Sequence, residues 1–307
     1  MTDDQPHRPV EVVVVGSANI DLVVPVAVLP RPGQTVLGGD HLRASGGKGA
    51  NQAVAAARLG RRAAMIGRVG DDDFGRQVLH SLRAAGVDTA TTTVTAGVPT
   101  GLALITVDRT GENTIAVSPG ANARLTADDV AAAAPLLAAA RVLLVQLEVA
   151  IDTVAAAVAT AAGTVILNPA PAASLPGEVL EHVDVLVPNR SELAVLTGHE
   201  EPRSLDEASR MTRSLPAGTA VVVTLGADGA LVVEDGQVEH VPAISVAAVD
   251  ATGAGDAFCG ALADGLARGL DLVAATRWAV RVAGLATTRW GAQPSMPSRD
   301  EVEEYGG

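Results

Sequence analysis

Residues 51–69 read Asn51-Gln-Ala-Val-Ala-Ala-Ala-Arg-Leu59-Gly60-Arg-Arg-Ala63-Ala-Met-Ile-Gly-Arg-Val69, and this stretch decides the fold. Small apolar residues run to Leu59, a glycine stops them at Gly60, and an apolar segment of strand length follows. The first part predicts a helix over 51–59 ended by Gly60, the second a buried strand over 63–69. The alternation continues outward on both sides. Val12 to Val15 reads as a buried strand, and Phe74 to Ala85 as a helix closed by Gly86. Further on, Val142 to Leu147, Val165 to Leu167, Val183 to Val187 and Ala220 to Val223 read as buried strands. Helices of about 10 to 15 residues fall between or after them. Near-continuous apolar strands separated by Ala-rich helices predict an α/β chain, with a mostly parallel sheet covered on both faces.

Two segments break the rhythm. Leu22 to Ala44 holds Pro25, Pro30 and Pro32 and has no helical period. Thr100 to Ser118 looks like a hairpin turning at Asp108 to Glu112. Together they would form a small β layer, and two readings stand: a lid over a ligand, or extra edge strands. No repeat, low-complexity linker or charge block marks a boundary, so one domain over 1–307 is expected.

The 307 residues are 48% hydrophobic but only 2% aromatic, so the core must be built from Ala, Val and Leu. A formal charge of −13 argues against a nucleic-acid or anionic-membrane surface, which needs concentrated Lys and Arg. One cysteine, Cys259, excludes an intrachain disulfide framework and a Cys-rich zinc module, and fits a cytoplasmic protein. The first nine residues are acidic and proline-interrupted, unlike a signal peptide. The most apolar stretch, Val130 to Leu147, is broken by Pro135 and Arg141, so no membrane span is expected.

In open α/β sheets a ligand sits beyond the carboxyl ends of the strands. Asn19 and Asp21, Glu148, Asn189 and Thr224 all follow predicted strands. Each alone reads as a cap or turn residue; together they favour a site. The strongest local signal is Asp250-Ala-Thr-Gly-Ala-Gly-Asp256, running into the apolar Ala257-Phe-Cys-Gly-Ala-Leu. Its glycines let the backbone approach a ligand, and the following helix aims free N–H groups at it, an arrangement that holds phosphate. A carboxylate there is odd unless it orients and deprotonates an attacking hydroxyl. The bland reading is a helix cap. At a helix N-terminus Asp256 is expected to have a low pKa.

Gly253-Ala-Gly255 is not a dinucleotide fingerprint, lacking a glycine three residues on. Gly46-Gly-Lys48-Gly49 is not a Walker A loop, because Gly49 stands where Ser or Thr must hold magnesium. The segment Gly46 to Gln52 nevertheless opens a helix with Lys48 and Asn51 as donors to hydroxyls or oxyanions. Lys48 is the only lysine in the chain; every other permanent cation is arginine, which favours a specific role. Trp278 and Trp290 both read as packing residues.

At these residues the sequence resembles the PfkB carbohydrate-kinase family, and within it the ribokinases. Both glycine-rich strings, Gly46 to Ala53 and Asp250 to Asp256, match the family signatures. Val145-Gln-Leu-Glu148, Asn168-Pro-Ala-Pro171, Pro188-Asn-Arg-Ser-Glu192, Thr224-Leu-Gly-Ala-Asp-Gly229 and Gly291-Ala-Gln-Pro-Ser295 match as well.

The resemblance implies a three-layer, ribokinase-like α/β fold with a β lid from about 18–45 and 95–120, through which two copies pair. It implies ATP-dependent phosphorylation of D-ribose at O5, with Asp256 as catalytic base and Gly253, Ala254 and Gly255 as anion hole. Asn19, Asp21, Gly47, Lys48, Asn51 and Glu148 would hold sugar hydroxyls. Asn189, Thr224, Gly226, Gly229, Gly255 and Val280 would line the nucleotide site, with Glu192 near Mg2+ through water. Asp250, Thr252, Ala286, Arg289, Gly291 and Ser295 fall at the positions of a monovalent-cation (K+) site, mostly as backbone carbonyls. Val280 stands where some relatives carry a polar residue near the adenine, and Ile20 borders the sugar. Deoxyribokinase, fructokinase or nucleoside-kinase activity is the alternative, and a non-catalytic sugar-binding protein a further one. The first fifty residues hold no aromatic to wall a nucleobase, which counts against a nucleoside.

Overall fold

The structure, a computed structural model, describes residues 9–305. Residues 1–8, most of the segment read for a targeting signal, lie outside the described residues. Thirteen strands divide between two sheets. The larger contains β1 (Val12–Val15), β4 (Ala63–Gly70), β5 (Thr92–Thr95), β8 (Val142–Val145), β9 (Thr164–Leu167), β10 (Val185–Leu186), β11 (Ala220–Thr224), β12 (Ala230–Glu234) and β13 (Gln237–Val241). The smaller contains β2 (Asn19–Pro25), β3 (Leu42–Gly46), β6 (Gly101–Val107) and β7 (Asn113–Ser118).

The large sheet runs β13-β12-β11-β10-β9-β8-β1-β4-β5. All pairs from β11 to β5 are parallel, while β12 and β13 close one edge as an antiparallel hairpin. Alternation within β1 shows why both faces are covered. Val12 and Val14 pack with the helices Lys48–Arg58, Ala254–Ala267 and Leu272–Ala286, whereas Val13 and Val15 pack with Ala127–Ala132, Ala134–Ala139 and Ile151–Thr160. Helices Arg190–Thr197 and Leu205–Thr212 cover β11 and β12 on their own small core. These three layers are the α/β arrangement read from the alternation. The chain goes from β1 to β4 on one side and returns through β8 on the other, so the strand order reverses between β1 and β8. That is where an open sheet leaves a crevice.

Several boundaries differ from the sequence reading. The helix expected over 51–59 begins three residues earlier, at Lys48, because Gly47 at φ 89° caps it and lets Lys48 and Gly49 enter the first turn. The strand expected over 142–147 stops at Val145 and releases Gln146 and Glu148 into the crevice. The strand expected over 183–187 has only Val185 and Leu186 in ladder pairing. The β12–β13 hairpin was not foreseen, although its turn carries the pair Asp235-Gly236, both at positive φ. That dipeptide is the standard signal for a two-residue turn.

The small sheet is ordered β3-β2-β6-β7 and is built from the two segments that broke the helical rhythm. Asn19 and Asp21 are two apart on β2 and so share one face. Among the described residues no helix is long and apolar enough to cross a membrane.

Candidate active site

The site is organised around the first turn of helix Ala254–Ala267. Its N-cap, Gly253, lies at φ 75°, and a Cβ there would stand 2.8 Å from the Cβ of Ala292. Only glycine permits that turn. The N–H of Ala257 bonds the carbonyl of Gly253 at 2.8 Å, which leaves those of Gly255 and Asp256 without intrahelical acceptors.

Asp256 is 8% exposed, and its two carboxylate oxygens face two amides on the neighbouring helix Lys48–Arg58. Asn51 Nδ2 donates to Oδ2 at 2.9 Å, and Gln52 Nε2 donates to Oδ1 at 3.0 Å. The sequence reading expected a depressed pKa, and the structure reverses it. Burial pushes the Asp256 carboxyl above its ordinary value, more than Lys48 and the two amides pull it down. The helix terminus loses because desolvation of a closed site outweighs a partial dipole charge. A carboxyl raised in this way takes up a proton more readily than one with the depressed pKa expected from the sequence.

Lys48 opens the Lys48–Arg58 helix. Burial works against its charge, but the carboxylates of Asp256, Glu148 and Glu192 outweigh that and raise its pKa. It is therefore a fixed cation. A cavity of about 140 Å³ is lined by Lys48, Asn168, Asn189, Glu192, Thr224, Gly253, Gly255, Asp256 and Cys259.

On the β1–β8 side of this cavity stand the residues proposed for the sugar. Glu148 Oε2 accepts from Ser17 Oγ and, at 3.0 Å, from the N–H of Lys48. Asn19 Oδ1 accepts from Asn122 Nδ2 at 2.6 Å. Asp21 lies against Gly46, where a Cβ would meet Asp21 Oδ2 at 2.2 Å. Burial, then the charges of Glu148 and Asp256, push the Asp21 pKa up to about 6. Gly47 is required for the same closeness: its Cβ would sit 2.8 Å from the N–H nitrogen of Asn19.

On the other side lie β10 and β11. Asn189 caps helix Arg190–Thr197 and makes a reciprocal capping box with Glu192, at 2.8 Å in both directions. The cap reading is thus correct for this pair, and both residues also face the cavity. Burial raises the Glu192 pKa despite the Asn189 N–H and Lys48. Thr224 bridges to Asn189 across the strand ends. Gly226 and Gly229 flank a short 3-10 turn at φ 62° and 90°. Gly229 is needed for packing, since its Cβ would fall 2.1 Å from the carbonyl of Val241. Val280 does not line the cavity; it is 6% exposed and packs in the main core.

Of the six positions implied for a monovalent cation, Asp250 and Thr252 lie on one loop, Ala286 ends the helix Leu272–Ala286, and Arg289, Gly291 and Ser295 follow it. Asp250 accepts from the N–H of Thr252 at 2.9 Å and of Gly291 at 2.8 Å, tying one loop to the other. Burial raises the Asp250 pKa but these hydrogen bonds outweigh it, so the carboxyl stays below its usual range. Ser295 Oγ donates to the carbonyl of Ala292 at 2.8 Å, and the N–H of Arg289 to that of Ala286 at 3.3 Å. The Arg289 guanidinium turns away to Glu301 at 2.6 Å, leaving its backbone for the loop. Among the described residues no three His, Cys, Asp or Glu side chains cluster as metal ligands.

Sequence reasoning singled out no role for Gln52, Gln146, Gln293, Asn122 or Ser17, all of which the fold brings to the site's polar network. A signal was there: long amides are conspicuous among runs of Ala and Val. The two tryptophans part company. Trp278 packs against the core beneath Arg268 and Arg299, at 5.6 and 5.5 Å, as expected. Trp290 is 74% exposed, so the packing reading fails there: its loop bends outward at Gly291 and leaves the ring without neighbours to bury it.

A model of the family described as "pfkB family carbohydrate kinase" matches residues 10–299. The chain is 37% identical over 297 residues to a ribokinase of Haemophilus influenzae, covering 95% of this chain and 97% of that one. It is 36% identical over 301 residues to a deoxyribokinase of Salmonella typhi, covering 96% and 98%. Its fold matches a ribokinase of Arabidopsis thaliana, solved with ribose and ATP, at a TM-score of 0.87, 30% identity and coverage of 97% and 98%. The chain belongs to the pfkB family of carbohydrate kinases and is an ATP-dependent sugar kinase.

Proposed function

We propose that the protein transfers the γ-phosphoryl group of ATP to O5 of D-ribose, giving D-ribose 5-phosphate and ADP. The observation that carries this reading is the Asp256 carboxylate, gripped by two amides at a helix N-terminus whose free N–H groups face the same cavity as Lys48. Asp256 takes the proton from O5–H as the O5–Pγ bond forms and the bond from Pγ to the β–γ bridging oxygen breaks. Gly253, Ala254 and Gly255 present the helix N-terminus to the transferring group. Phosphoryl transfer depends on positioning and charge neutralisation more than on nucleophile strength, so a buried carboxylate suffices.

Asn19, Asp21, Gly47, Lys48, Asn51 and Glu148 hold the sugar, while Asn189, Thr224, Gly226, Gly229 and Gly255 border the nucleotide. Val280 is buried in the main core. Glu192 would stand near magnesium through water, and the ion would supply charge neutralisation at the phosphates. Asp250, Thr252, Ala286, Arg289, Gly291 and Ser295 would hold a monovalent cation, potassium, which would supply positive charge near the anion hole. Ribose is favoured over a nucleoside because the first fifty residues hold no aromatic to wall a nucleobase. A deoxyribose kinase is the second reading, supported by the Salmonella relative. The four-strand sheet, formed within residues 18–45 and 95–120 of a single domain, acts as the lid and pairs with that of a second copy in the cytoplasm.

ADP release with Mg-ATP, compared across ribose, deoxyribose, fructose and adenosine with and without potassium, tests the reading. Potassium-stimulated turnover on ribose supports it. Turnover on another sugar discards the ribose assignment, and none at all discards the kinase mechanism.

A further inference from the structure

Both oxygens of Asp256 are held by side-chain amides, and an amide holds a carboxylate only when its NH2 end faces it. Asn51 has two nearly equivalent orientations, so something must select one. The structure shows what does. Gln293 is 5% exposed, on the far side of Asn51 from Asp256. Its Nε2 donates to Asn51 Oδ1 at 3.1 Å, and its Oε1 accepts from Ser81 Oγ at 2.9 Å. The chain therefore has one direction: Ser81 to Gln293, Gln293 to Asn51, Asn51 to Asp256. Reversing Asn51 would set its oxygen against the carboxylate and its NH2 against the NH2 of Gln293. Both ends would be wrong at once, inside a site where unpaired polar groups are costly.

We propose that Gln293 is a positioning residue for Asp256, acting through Asn51 by fixing which end of the Asn51 amide meets the carboxylate. This rests on the reading of Asp256 as the base. It adds a role for a residue 242 positions from Asn51 in sequence that lies in the turn Gln293–Ser295. The same loop holds Gly291, whose N–H is bound by Asp250, so whatever orders that loop also orders Gln293.

The test is a double-mutant cycle. Gln293→Met keeps length and volume but removes both polar ends. Turnover should fall about tenfold, part of the hundredfold or more that a well-placed base contributes, with the KM for ATP unmoved. In an Asn51→Ala background the same change should cost almost nothing, because the group it acts through is gone. A loss that persists undiminished in that background overturns the proposal, as does full turnover of a folded Gln293→Met protein. Should Gln293→Met not fold, Ser81→Ala interrogates the same chain from its far end. It should lower turnover less, and again only while Asn51 is present. Asp256→Asn separates the two readings: if it retains turnover, the base assignment falls. If it is inactive while the cycle is additive, only the role of Gln293 falls.

Discussion

Burial raises the pKa of four carboxylates in this protein, and for two of them, Asp256 and Asp21, the consequences differ. Asp256 is raised but faces Lys48 and two amides, so it retains partners for its charged form. Replacing it with Asn keeps the side chain's shape and removes the proton acceptor, although its NH2 then meets one of the two amide donors, Asn51 or Gln52. Turnover in a coupled assay should then drop by a factor of roughly 10² to 10⁴, while ribose binding by calorimetry persists. Asp21, raised from 3.8 to about 6, is charged only above that value. Because its pKa is higher folded than unfolded, its contribution to stability is complete below about 3.8 and fades as the pH rises through about 6. Function runs the other way. A sugar hydroxyl donating to Asp21 needs the ionised form, so ribose affinity should weaken as the pH falls through about 6. Asp21→Asn should bind weakly at every pH and lose that dependence. An unchanged pH profile in the variant would mean that Asp21 does not touch the sugar.

At the scale of elements, the site depends on turns that bring helix starts onto strand ends. Gly47 lies at φ 89° and ψ 130°, a region essentially reserved for glycine, with the β1–β2 backbone 2.8 to 3.0 Å from where a Cβ would be. Gly47→Ala should destabilise the protein by about 1–3 kcal/mol in urea unfolding. It should also weaken sugar binding, because Asn19 and Lys48 flank the clash. Behind the site, helix Ala254–Ala267 is anchored by Asp264, fully buried between Arg61 at 2.9 Å and Arg299 at 2.7 Å. Burial raises the Asp264 pKa more than its arginines lower it, so this pair does not repay its own desolvation. Its use is geometric: it ties the helix bearing Asp256 to the segment after the helix bearing Asn51. Arg299→Ala, which leaves the carboxylate underpaired, should therefore cost about 3 kcal/mol or more. Asp264→Asn should cost less, and the opposite order in paired denaturation curves would contradict this account.

For the whole molecule, the small sheet is the conspicuous surface. Leu42, Leu104, Ile115 and Val117 are 51–65% exposed on its strands, and a cleft of about 620 Å³ opens beside Leu22, Val24, Leu104 and Ile115. Strand β7 is exposed along its whole length. By register Leu42, Ile115 and Val117 share the face of Asp21 and Leu104 lies on the opposite one, so both faces carry exposed apolar side chains, and such surface marks a contact site. If two copies pair there, sedimentation should show a dimer that Leu104→Lys dissociates. The variant's secondary structure should be unchanged, and its sugar affinity reduced because the same sheet carries Asn19 and Asp21. A monomeric parent protein would remove the basis for that pairing.

Much of this was legible in the chain before folding was considered. The strand Val12–Val15, the helix stops at Gly60 and Gly86, and the hairpin around Asp108 follow from period, glycine and turn chemistry, which act over a few residues. Asp250 to Asp256 announced a helix start for the same local reason. The cap reading of Asn189 was equally local, whereas its reciprocal bond with Glu192 came from the structure. What tertiary structure alone decided is which distant groups share a space. Gln293 meets Asn51, Gln146 meets Gln52, and Asp21 is desolvated beside Glu148, because strands far apart in sequence end at one crevice. The raised pKa of Asp256 belongs here too. A helix terminus can be read from sequence, but the burial that overrides it comes from every element that closes over the site.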